Sequence, residues 1–195
     1  QPPGTPVVDI SVSRSPKVVH YMDSAVMIEP NETVDIHAGR KLLGAIGPYY
    51  QYDDSRTATN TDSDFEFYDV SDCRRPVLKG TLKLPRLRAH GGVFAPDGRT
   101  YYTTSYTGNI PPDDRNHGNE RWGTNVDAVI AIDVTDPTRP REIVRWVVPT
   151  EVGSPHWITL NQDGTRAYLS LSGKQFGSDA PVANGIAIGK AITAM

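Results

Sequence analysis

Apolar residues along this chain come in short runs, each fenced by Asp, Gly or Pro. FEFYDV (65–70), VLKGTLKL (77–84), GGVFA (91–95) and TYYTTSY (100–106) form one series, and VIAIDV (129–134), EIVRWVV (142–148), HWITL (156–160) and RAYLSL (166–171) form another. Runs of this length, rich in β-branched and aromatic residues and bounded by turn formers, predict β-strands and hairpins. No stretch sustains a 3.6-residue apolar period, so the pattern predicts no helix.

The two series are copies of one unit. DISVSRSP (9–16), DVSDCRRP (69–76) and DVTDPTRP (133–140) open 60 and 64 residues apart. Each closing proline is followed at similar distance by a polar marker, Asn31, His90 or His156, and then by a glycine, Gly39, Gly98 or Gly164. The repeats are placed at about 5–64, 65–127 and 128–184, within one domain spanning 1–195. A long fixed period of this kind governs the architecture before any local motif does.

Turn chemistry supports the strand reading. In Asp97-Gly98 and Asp163-Gly164 the carboxylate can accept from the backbone two residues on, while glycine takes a positive φ without steric cost. Asp9, Asp69 and Asp133 are expected to end a strand in an Asx turn, with Pro16, Pro76 and Pro140 at the entry to the next strand, where a missing donor does least harm. Four-stranded units of this size, repeated, predict an all-β fold of β-propeller blades, about three with the start of a fourth.

The phrase DVTDPTRP, with HGGVFAPDGRTYYTTS in the second copy, resembles the LVIVD-repeat propellers, and PHWITLNQDGTRAYLS is similar to the wider YVTN-type group. The resemblance covers most of residues 5–189. It implies a propeller fold and no single activity, and such propellers are commonly secreted or envelope proteins of bacteria, so an extracytoplasmic location is expected. It admits a lactonase-like hydrolase, and a histidine-lined channel admits a copper oxidase like the selenium-binding methanethiol oxidases.

The copies differ at the ends. Copy one carries Asn31 in place of histidine and Ala38 in place of the hairpin aspartate, and NGIAIGKAITAM begins a fourth phrase with Gly189 where its Asp should be. Three units and a start are fewer than the four to eight blades that close a propeller. The chain also begins with Gln. The expectation is a piece of a longer protein, or else a homodimer, with the remaining blades supplied by the full-length chain or by a second subunit.

Composition narrows the partners. A formal charge of −3 argues against nucleic acid or a charged membrane surface, and no apolar run approaches a membrane span. The one cysteine, Cys73, falls in a turn and is not expected to act as a nucleophile. The elbow, zinc-helix, P-loop and dinucleotide motifs of common enzyme classes are all missing.

Chemistry is expected where the inner strands begin, at the channel mouth. Asn31, His90, His156 and Trp157 are the candidates there, and His90 with His156 are candidate ligands for a transition metal, since neutral imidazole is a good donor. The structural alternative is a polar side chain that bonds backbone or water and fixes the interblade loop. The long polar segments 47–64 and 108–125 supply a second set: Tyr49, Tyr50 and Tyr52, and His117, Glu120, Arg121 and Trp122. The aspartates of 47–64 could hold calcium but lack the spacing of an EF-hand. Two readings follow. One is a non-catalytic module binding a protein or glycan through these loops, with no cofactor. The other is a metal-dependent propeller enzyme built on His90 and His156.

Overall fold

The computed structural model describes residues 4–47, 62–85, 87–105, 126–149, 154–172 and 185–190. These residues are all β but for two short turns of helix. Strands β1 (Thr5–Asp9) and β2 (Lys17–Met22) form a two-stranded sheet. A four-stranded sheet follows from β3 (Val34–His37), β4 (Leu42–Gly47), β5 (Ser63–Asp69) and β6 (Val77–Leu84), and a second from β7 (Ala89–Phe94), β8 (Thr100–Ser105), β9 (Ala128–Asp133) and β10 (Arg141–Val147). Strands β11 (Ser154–Leu160), β12 (Arg166–Ser172) and β13 (Gly185–Lys190) form a three-stranded sheet. Every pairing is antiparallel between chain neighbours, and β3, β7 and β11 pack side by side as the innermost strands of successive sheets. These are blades of an unclosed propeller-like arc.

The sheets and the sequence phrases are out of frame by two strands. Each phrase-to-phrase unit contributes the outer pair of one sheet (β5 and β6, for example) and the inner pair of the next (β7 and β8). The connection from one blade to the next therefore lies inside the repeat. That frame carries the Asp and Pro markers to the corner between third and fourth strands: Ser11, Ser71 and Thr135 donate their N–H to Asp9, Asp69 and Asp133 Oδ1 at 2.9, 2.8 and 2.9 Å. β2, β6 and β10 each begin at the residue after Pro16, Pro76 and Pro140. Those bonds hold all three carboxyls below the usual range, the Ser or Thr contacts being the leading cause in each.

Among the described residues, three apolar cores lie between neighbouring sheets. Met22, Val26 and Met27 meet Leu43, Ala45 and Tyr68; Leu42, Ile46, Phe65 and Phe67 meet Tyr101, Ile130 and Ile132; Tyr102, Val129 and Ala131 meet Ile158, Ala167 and Leu169. Successive residues of β4, β8 and β9 thus face different cores. This is why their sequences read as continuous apolar runs where a half-buried strand alternates.

One feature departs from expectation, and the first hairpin differs from the other two. Ala25–Ile28 form one turn of α-helix, α1, with Ser24 as N-cap accepting from Met27 N–H at 3.2 Å. Four residues are too few to show a helical period, and the cap together with burial of Val26 and Met27 holds the turn. In the first hairpin Gly39 is not the left-handed residue. A 3₁₀ turn over Ala38–Arg40 puts Lys41 there instead, at φ 51°, while Gly98 and Gly164 stand at 66° and 70°. His37 takes the part that aspartate plays in the other hairpins, its Nδ1 accepting from Arg40 N–H at 3.1 Å.

Candidate functional site

Strands β3, β7 and β11 run from one end of the sheets, where His90 and His156 lie, to the hairpins at the other. The ends of β4, β8 and β12 and the starts of β5, β9 and β13 lie at that histidine end. Tyr49, Tyr50, Tyr52, His117, Glu120, Arg121 and Trp122 lie outside the described residues, as do Asp53 and Asp54 of the four aspartates considered for calcium.

The two histidines meet. Their ring centroids are 4.2 Å apart with the planes tilted by 41°. Each lies where the inner strand's register slips, between Ala89 and Gly92 in β7 and between Pro155 and Trp157 in β11, and a bulge of this kind turns a side chain out of the ladder's alternation. Close approach depends on Gly91: a Cβ there would stand 2.9 Å from Trp157 Cα and 3.1 Å from Ile158 N. Threonines then fix both backbones. Thr33 Oγ1 donates to His90 O at 2.9 Å, and Thr104 Oγ1, which accepts from Gly91 N–H at 3.0 Å, donates to His156 O at 3.1 Å.

A third donor joins them that sequence reasoning missed. Glu32 Oε2 lies 3.8 Å from His90 Nδ1, and one ligand atom from each of Glu32, His90 and His156 lies within 4.8 Å of the others. Register explains the meeting. Ile36, Phe94 and Leu160 face Leu43, Tyr101 and Ala167 across hairpins of equal length. Four residues back from each come Glu32, His90 and His156. Glu32, not Asn31, is therefore the first sheet's equivalent of the histidines. Matching the copies on Gly39 displaces the first by one residue, because in this register Gly39 stands at the place of Asp97 and Asp163 and Arg40 at that of Gly98 and Gly164.

Asn31 works as a staple between sheets. It is 6% exposed; its Nδ2 donates to Ala89 O, its Oδ1 accepts from Glu32 N–H at 2.8 Å, and its own N–H reaches Ile46 O at 2.7 Å. Trp157 keeps 38% of its surface exposed rather than filling an interblade core.

Burial dominates the electrostatics. His90 is 2% exposed while Glu32 is 49% exposed. Burial first, then the neighbouring His156 and Arg88, pushes His90 down to about 4, so its imidazole is neutral at neutral pH. At 3.8 Å from a neutral ring, Glu32 is brought near by sheet packing rather than by charge.

A second polar cluster lies away from this end, and its place in the fold accounts for it. Glu66 Oε2 accepts from Ser24 Oγ at 2.5 Å and from Tyr68 OH, with the two hydroxyl oxygens 2.6 Å apart. Glu66 and Tyr68 are buried, and burial with the Glu66 bond raises the Tyr68 phenol far above its usual range. The cluster ties the α1 cap to β5. Cys73 is exposed and unbonded to any other cysteine, as the turn placement implied.

Comparison by sequence with known families and with curated proteins finds no match. Comparison by structure finds propellers. A protein from Lactobacillus plantarum is similar at a TM-score of 0.56 and 13% identity, over 94% of this chain and 50% of that one. The periplasmic gluconolactonase of Pseudomonas aeruginosa is similar at 0.54 and 12%, over 80% of this chain and 39% of that one. The chain thus spans half or less of these two structures, and the likeness establishes a β-propeller-like fold. Among the described residues no helix is long and apolar enough to cross a membrane.

Proposed function

We propose that this chain is part of an extracytoplasmic β-propeller of the LVIVD/YVTN kind whose binding site lies at the histidine end of the sheets, and that the site takes an oxygen-rich small ligand of the sugar or sugar-acid class. The carrying observation is the convergence of Glu32, His90 and His156 from three successive sheets within 4.8 Å. Interblade stitching alone does not need it, because Asn31, Thr33 and Thr104 already supply that. Trp157, exposed beside His156, adds the apolar face on which a sugar ring stacks. The repeat phrases and their matching Asx corners support the kinship, and the periplasmic setting of one structural relative supports the location.

Tryptophan-fluorescence titration of the full-length protein with monosaccharides, gluconate and glucono-lactone, alongside a glycan array, tests the reading. Binding that is lost in Trp157→Ala and His156→Asn, with the far-UV spectrum unchanged, is expected. Binding to none of these probes, or binding that both variants leave intact, refutes it.

A further inference from the structure

We propose that Glu32, His90 and His156 form a mononuclear site for a divalent transition metal of the zinc, cobalt or copper class, with one ligand from each of three successive sheets. The proposal goes beyond the ligand assignment and stands on the geometry of the three side chains alone.

The donor set chooses the metal. Two imidazoles and one carboxylate suit first-row transition ions, whereas calcium and magnesium take oxygen ligands. Ligand atoms about 2.1 Å from a tetrahedral ion stand roughly 3.4 Å apart. The Glu32–His90 pair is at 3.8 Å and the whole set within 4.8 Å, so closing on an ion requires side-chain rotation and no movement of the sheets. Glu32, half exposed, has the room to rotate, while the threonine bonds to the His90 and His156 carbonyls fix the backbones that carry the two imidazoles. An ion shared by both rings must lie in both ring planes. Rings tilted by 41° have such a line of intersection, which parallel stacked rings do not.

The arrangement also has the form that a repeat architecture produces most simply. One register position, four residues before the hairpin pair, delivers one ligand per blade to a common point. Three protein ligands leave the fourth position of a tetrahedral ion open, as in catalytic rather than structural sites.

The test uses the metals alone. Equilibrium dialysis of the full chain against Zn²⁺ should give about one equivalent, and Co²⁺ should give the visible absorption of a tetrahedral site. Cu²⁺ should show two nitrogen donors in its paramagnetic resonance spectrum. Glu32→Gln, an isosteric change at an exposed side chain that leaves folding intact, should weaken Zn²⁺ at least ~10-fold, since even outer-shell changes commonly cost that much. His90→Asn with His156→Asn should abolish binding. His20, His37 and His117 remain in every variant and report adventitious binding. No Zn²⁺ bound by the parent at ~100 μM free metal, affinity unchanged in Glu32→Gln, or stoichiometric binding retained by the folded double-histidine variant each overturn the proposal. Metal bound normally by a protein that takes none of the sugar probes would refute the ligand assignment and leave this one standing.

Discussion

Gly91→Ala isolates the contact that brings the two histidines together. The added Cβ would lie 2.9 Å from Trp157 Cα, 3.1 Å from Ile158 N and 3.3 Å from His156 O, all backbone atoms of the next sheet's inner strand. Ordinary contact begins near 3.4 Å, so β11 must retreat by about half an ångström. It cannot do so alone, because Thr104 holds His156 O at 3.1 Å and Ile158 is 1% exposed in the core between these sheets. Overpacking against a pinned backbone costs about 1–3 kcal/mol. At a urea dependence of about 2 kcal/mol per molar, a central cost of ~2 kcal/mol lowers the unfolding midpoint by about 1 M. The same retreat widens the gap between the imidazoles, so Zn²⁺ affinity should fall together with stability. A midpoint within ~0.2 M of the parent, at unchanged slope, would show that β11 yields freely and that Gly91 is not what sets the spacing.

Three further changes probe the frame around the site. Tyr101 is fully buried between Phe67 and Phe94, with a hydroxyl that has no hydrogen-bond partner among the described residues, so Tyr101→Phe should be neutral or stabilising by up to about 1 kcal/mol; a loss of more than that in urea unfolding contradicts the account. Arg40 reaches from the first hairpin to Gly98 O, Val134 O and Thr135 O at 2.6, 2.8 and 3.0 Å, so Arg40→Met should cost about 2 kcal/mol by the same measurement, and a cost under ~0.5 kcal/mol would remove it as a latch between sheets. His90 binds its proton near 6.5 when unfolded and near 4 when folded, so metal-free protein should lose on the order of 2 kcal/mol as pH falls through that window. His90→Asn should lack this limb and keep the one at lower pH, where protonation of the Asx-turn aspartates removes their contribution; an unchanged pH profile would refute the assignment.

Much of the fold was legible because turns carry local chemistry. The Asp and Pro phrases mark the outer corners, Gly98 and Gly164 take the positive φ their hairpins need, and strand limits differ from the apolar runs by a residue or two. What stayed hidden depended on partners distant in sequence. Arg40 bonds carbonyls 58 to 95 residues away, and Glu66 gains its meaning from Ser24, 42 residues earlier. α1 is held by its cap and by what it buries, neither of which has a period to read.

Glu32 shows most clearly where sequence reading reaches its limit. The histidines announce themselves, since each stands at the same spacing before an Asp-Gly hairpin. In the first copy the hairpin aspartate is gone, and the glycine that remains invites an alignment that selects Asn31. Only the pairing of β3 with β4 settles the frame, because a one-residue slip in a strand exchanges its two faces. In the correct frame a carboxylate stands where the other blades place imidazoles, and a plain repeat of a structural residue would not need that substitution. A ring of three identical histidines would gather donors but no compensating charge. One carboxylate beside two imidazoles supplies a negative ligand for a divalent ion, which makes the departure of copy one from the repeat its most informative feature.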